Sequence, residues 1–187
     1  MALPISQSIP RALDRLQEVV TSEAFTDDLQ DRASDDFPLP EPETWIQARL
    51  NLHRHWKALN VSEVMGVIHP RRGTDVINSY SGDGSKYTRD QKTHIDLGIV
   101  VKPSGAFPDV ETQGRQMLDD EWLQRRVEKY RGALLDVIPA HAPDPEAIAE
   151  VFVDEYQADL FEVDTLGRYA HATVTFDIFQ TVNIKSW

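Results

Sequence analysis

The stretch HATVTFDIFQTVNI, residues 171–184, constrains the fold more than any other part of the chain. Ala172, Val174, Phe176, Ile178, Val182 and Ile184 share one parity; His171, Thr173, Thr175, Asp177, Thr181 and Asn183 share the other. Successive side chains of a strand point to opposite faces, so this pattern predicts a half-buried strand with an apolar row against a core. A strand needs a neighbour to satisfy its backbone, and the preceding segment supplies one. VFVDEYQADLFEV (151–163) reads as a strand and DTLGRY, with Gly167, as a turn, so the two predict a C-terminal β-hairpin.

Upstream, the elements needed to cover that hairpin are legible. Ser8, followed by Ile9 and Pro10, predicts a helix with a hydroxyl N-cap and proline in its first turn. Its apolar stripe is Ile9, Leu13, Leu16 and Val20, fading where Glu23, Asp27 and Asp28 surround only Phe25 and Leu29. EVMGVIHP (63–70) reads as a buried strand, and THIDLGIVVKP as a second, with Ile95, Leu97, Ile99 and Val101 on one face and Pro103 at its end. Asp119, Asp120 and Glu121 suit the positive end of a helix dipole. Leu123, Val127, Tyr130, Leu134 and Val137 then make the clearest helical stripe in the chain, and Pro139 is expected to close it. PDPEAIAE reads as the start of a further short helical turn.

Two segments are less determinate. TWIQARLNLHRHWKALN (44–60) alternates like a strand, but Trp45, Leu52, Trp56 and Leu59 also fall on one helical stripe, and its length favours helix. RRGTDVINSYSGDGSKYTRDQK has too many small polar residues to form a core face, so a long exposed loop at about 70–92, or an extended hairpin tip, is expected. SDDFPLPEPE makes a Pro-rich connector at about 34–43, since proline disfavours helix in itself and in its predecessor. Phe37 and Leu39 give that connector something to bury, on its own domain or on a neighbour. The sum is a single α+β domain over 1–187: a mainly antiparallel sheet, amphipathic helices packed on one face, and the C-terminal β-hairpin.

Composition narrows function by exclusion. The chain has no cysteine, which removes disulfides, thiolate metal sites and thiol chemistry. Thirty-one acidic residues against 19 basic give a formal charge of −12, a poor balance for grasping nucleic acid, whose affinity comes largely from Lys and Arg neutralising phosphates. No stretch has the length and apolarity of a membrane span, and MALPISQSIPRALDRL lacks the basic and apolar regions of a secretory signal, so the expectation is a soluble protein made in the cytoplasm.

The chemistry-bearing patterns fail one by one. His53 and His55 share a face only in a strand, and a third ligand would have to come from His69, His94 or His141 in other elements. SGDGSKY (81–87) has Ser85 between Gly84 and Lys86, which breaks the P-loop order. A two-metal nuclease would use Asp75 and then an acid two residues before a lysine, but Val100 stands before Lys102. No G-x-S-x-G elbow occurs. No catalytic, cofactor-binding or metal-ligating residue is assigned, and a His-dependent metal hydrolase is the weakest of the readings kept.

From residue 93 onward the order of elements resembles tail-terminator (tail-completion) proteins of long-tailed bacteriophages. The matching pieces are THIDLGIVVKP, DDEWLQRRVEKYRGALLDVIP and the hairpin VFVDEYQADLFEV–DTLGRY–AHATVTFDIFQTV, with IPRALDRLQEVV as the N-terminal helix. The resemblance implies a virion structural protein that caps the tail tube as a ring, usually of six subunits. Such a ring contacts the tail tube protein and the head-side connector and leaves a channel through which DNA passes without tight binding. It also implies places for particular residues: Asp159, Glu162 and Asp164 toward the channel, and Phe37, Leu39, Phe179 and Trp187 at contacts between subunits. A neck connector or tail-tube module of similar topology is the alternative.

Overall fold

The computed structural model describes residues 3–34, 38–47, 64–77, 86–102, 111–112, 115–116, 119–144, 146–163 and 167–185. The predicted terminal strand organises the fold. Strand β8 (Gly167–Lys185) pairs antiparallel along its length with β4 (Lys86–Val101) on one side and with β7 (Glu150–Val163) on the other. Beyond the end of β7, the short β1 (Leu3–Pro4) adds to the same side, parallel. Strand β3 (Val64–Ile77) pairs antiparallel with β4, and β2 (Thr44–Ile46) adds parallel to β3. A separate two-stranded ladder joins β5 (Glu111–Thr112) and β6 (Arg115–Gln116).

Among the described residues three helices cover one face: α1 (Ile5–Val20), α2 (Glu23–Arg32) and α3 (Asp119–His141). Against them lie Ile95, Leu97, Ile99 and Val101 of β4 and Ala172, Val174, Phe176, Ile178 and Val182 of β8, all fully buried. The α+β architecture, with its mainly antiparallel sheet and C-terminal hairpin, is therefore as the alternation predicted. Helix α3 fills the core with Leu123, Val127, Tyr130, Leu134 and Val137, together with Trp122 and Ile138. The Tyr130 hydroxyl donates to the carbonyl of Pro40, which ties the Pro-rich connector down at residues 38–43. Leu39 is buried in the domain's own core.

Several local expectations are corrected. Helix α1 starts at Ile5, and Ser8 is not its N-cap: the side chain is buried inside the helix and donates to Gln91 Oε1 at 2.9 Å. The buried stripe is accordingly Ser8, Ala12, Leu16, Val19 and Val20, while Ile9 and Leu13 are only half-buried. The stripe does not fade after Val20; Phe25 and Leu29 are the buried side of α2. Helix α3 passes Pro139 and ends at His141, because Arg15 of α1 donates to the carbonyls of His141 at 2.8 Å and Ala142 at 3.3 Å and so satisfies acceptors a helix end leaves open. PDPEAIAE forms a tight turn in place of a helix, with the Ala147 and Ile148 amides donating to the Asp144 carbonyl and the Glu146 amide to its carboxylate.

The helix expected over 44–60 does not hold where the segment is described, since Thr44–Ile46 is strand. Gly66 explains why: the Trp45 indole lies where a Cβ of residue 66 would stand, 2.2 Å away, and stacks edge-on to Phe25 with centroids 6.0 Å apart. Residues 48–63 lie outside the described residues. Of the two readings of 70–92, a long exposed loop or an extended hairpin tip, the described residues fit the hairpin: 70–77 and 86–92 are ladder, with the register broken between Pro70 and Thr74, where proline has no N–H to donate.

Candidate functional site

The face of the sheet turned away from the helices carries the polar residues of β3, β4, β7 and β8. It is built by alternation, since His94 and Asp96 alternate with the core residues Ile95 and Leu97, and Asp177 stands between Phe176 and Ile178. Register then decides who meets whom. Asp96 lies opposite His69 on β3 and Thr175 on β8, and Thr175 lies opposite Glu155 on β7. Arg71 joins this row: its Nε is 2.8 Å from Asp96 Oδ1 and its Nη2 2.7 Å from Glu155 Oε1. Thr175 Oγ1 donates to Asp96 Oδ1 at 2.7 Å. The hydrogen bond with Asp96, and less so that with Glu155, raises the Arg71 pKa above its ordinary value and keeps the guanidinium charged.

A second row runs beside it. His94 lies directly opposite Asp177 in the β4–β8 ladder, with His94 Nδ1 2.7 Å from Asp177 Oδ1. Lys92 Nζ is 2.7 Å from the other oxygen, Oδ2. The β7–β8 register slips between Val153 and Glu155, so Asp154 is the inserted residue of a bulge. A bulge redirects a side chain, and Asp154 Oδ2 reaches to 3.7 Å from His94 Nδ1 across the intervening strand. Further along, the His171 ring sits over Gly98, where a Cβ would be 2.8 Å from its Nε2, and Nε2 is 3.0 Å from Thr173 Oγ1.

The outer edge of β7 is the other candidate surface. Among the described residues no strand pairs with it, and Phe152, Val153 and Tyr156 on β7 are 53%, 40% and 56% exposed. Phe152 stacks edge-on against Phe179 of β8 with centroids 5.7 Å apart, and the Arg131 guanidinium lies 4.6 Å over the Tyr156 ring.

Of the residues singled out from sequence, Asp159 and Glu162 are on β7, opposite His171 and Arg168. Phe179 is half-buried beside Phe152. Asp164, Phe37 and Trp187 lie outside the described residues, as do His53 and His55. His69, His94 and His141 do not converge with one another: His69 and His94 face different partners on the sheet, and His141 ends α3. What the structure brings together instead is His94 with Asp154 and Asp177, whose ligand atoms lie within 4.8 Å of one another. The signal for this lay in HID (94–96), an apolar residue between polar ones, and FDI (176–178), a polar residue between apolar ones, but nothing in the sequence gave their mutual register or the bulge at Asp154.

No helix among the described residues is long and apolar enough to cross a membrane. A scan against protein-family models found no match to the chain, and a search of curated proteins likewise found none.

Proposed function

We propose that the chain is a ring-forming structural subunit of a bacteriophage tail, of the tail-terminator type, capping the tail tube and meeting the head-side connector. The observation that carries this reading is the open edge of β7. A 14-residue edge strand is a template for pairing with another chain, and proteins that stay monomeric usually cover or blunt such an edge. Here it keeps exposed apolar side chains, Phe152, Val153 and Tyr156, beside a backbone edge that no strand among the described residues pairs with. A contact from this edge to a different surface of the next copy is heterologous, and such contacts close into rings when the rotation allows. The order helix, strand ending before Pro103, long helix and terminal hairpin, on which the resemblance rests, supports the same reading.

For that ring we assign the acidic residues Asp159, Glu162 and Asp164 to the DNA passage, as the resemblance implies. A negative lining repels phosphates and lets the duplex slide without adhering. The test is size-exclusion chromatography with light scattering on the chain and on a Phe152→Glu, Tyr156→Glu variant. The expected mass is about 128 kDa, six copies of 21.3 kDa, falling to one copy in the variant, since both side chains are already exposed and charge there spares the core. A variant that assembles like the parent would remove the β7 edge from the account.

A further inference from the structure

We propose that His94, Asp154 and Asp177 form a binding site for one divalent transition-metal ion of the Zn²⁺ class. The ion would tie the edge strand β7 to β4 across β8. This goes beyond the assembly role and does not depend on it.

Three adjacent strands each supply one donor: the imidazole Nδ1 of His94 from β4, Asp177 Oδ1 from β8 and Asp154 Oδ2 from β7. The Nδ1 separations are 2.7 Å from Asp177 and 3.7 Å from Asp154. Donors bound at about 2.0–2.1 Å around a tetrahedral ion stand roughly 3.3 Å apart, between these two values, so small side-chain shifts seat the ion. The local backbone is arranged for it. His94 and Asp177 are a direct cross-strand pair, and the inserted residue at the β7 bulge is the one that brings a carboxylate to the same spot.

Asp177 Oδ1 adds an independent observation. It is shielded from solvent, and although His94 Nδ1 is 2.7 Å away, no donor is aligned to give it a hydrogen bond. At that distance an imidazole nitrogen and a carboxylate oxygen need a positive species between them, either the Nδ1 proton or a metal ion that replaces it. Lys92 cannot be that species, because its ammonium holds the opposite oxygen, Oδ2. In doing so it orients the carboxylate, as outer partners of metal ligands do. Two carboxylates and one ammonium leave the cluster with a net negative charge when the imidazole is neutral. One nitrogen and two oxygen donors select zinc, cobalt or nickel over calcium or magnesium, which prefer oxygen alone.

The test uses the full chain freed of metal by a chelator and titrated with Zn²⁺, then with Co²⁺, whose visible absorption reports its coordination. One ion per chain is expected, with a Tm that rises with metal concentration, as for any ligand that binds only the folded state. Asp154→Asn and His94→Gln should each weaken binding by about 10-fold or more. Asp154 is exposed enough that its variant folds normally, which the metal-free Tm verifies. A His53→Ala, His55→Ala variant should bind as the parent does. Absence of saturable binding, unchanged affinity in both cluster variants, or loss of binding in the His53, His55 variant would each overturn the site.

Discussion

Replacing Gln180 with leucine asks whether the polar contact beneath α1 is required for stability. Gln180 has the parity of the core row on β8 and is 2% exposed. Its Nε2 donates to the carbonyls of Ser8 and Ala147, both at 2.7 Å, and across the ladder it faces Gln91, which accepts from Ser8 Oγ. One side chain thus ties the sheet to α1 and to the turn after α3. Leucine fills much the same volume but removes both donors. Two net hydrogen bonds at about 0.5–1.5 kcal/mol each give roughly 1–3 kcal/mol, and the added apolar burial offsets part of it, so about 2 kcal/mol is expected. Ser8→Ala removes one bond and deprives the Gln91 acceptor of that donor, for about 1 kcal/mol. Because the two changes share a network, the double variant should depart from additivity by about 0.5 kcal/mol or more. Equilibrium urea unfolding reads all three. With a slope of about 2 kcal/mol/M, Gln180→Leu should lower the midpoint by about 1 M. A midpoint equal to or above that of the parent would mean that apolar burial outweighs the hydrogen bonds and that the buried amide is not structural.

Two further predictions rest on single residues. Gly66→Ala places a methyl 2.2 Å from Trp45 ring atoms, so the indole and β2 must shift, at a cost of about 1–3 kcal/mol and with altered tryptophan fluorescence; an unchanged midpoint and spectrum would contradict the packing. Burial raises the Tyr169 pKa above the ordinary 10.0, so the folded chain keeps its phenolic proton where the unfolded chain loses it. This group's stability contribution is therefore full below about pH 10 and is lost as pH rises through the folded pKa. Tyr169→Phe should flatten that decline in urea midpoints, and an equal decline in both proteins would refute the assignment.

The sequence made the core rows of β4, β8 and α3 legible because each repeats its period over many residues. Ile95, Leu97, Ile99 and Val101 needed only parity, and Leu123 to Val137 only the 3–4 spacing. Ser8 misled because serine before proline is a good cap in isolation, whereas here a tertiary partner, Gln91, claims its hydroxyl. Pro139 misled similarly, since a neighbour's arginine completes the helix end. The segment 70–92 left loop and hairpin tip undecided because a hairpin arm without an apolar row has no periodic signature, although its backbone pairs fully at 86–92 with β8. The charged rows on the open face were the least legible. Arg71, Asp96 and Glu155, or His94, Asp154 and Asp177, are separated along the chain and meet only through strand order, register and one bulge.

Assembly is the central claim, and imaging tests it most directly. Negative-stain electron microscopy of the purified chain, with class averages along the symmetry axis, should show a ring of about six subunits around an open centre. Particles the size of a single 21.3 kDa chain at every protein concentration, or closed assemblies without a central opening, would contradict the account.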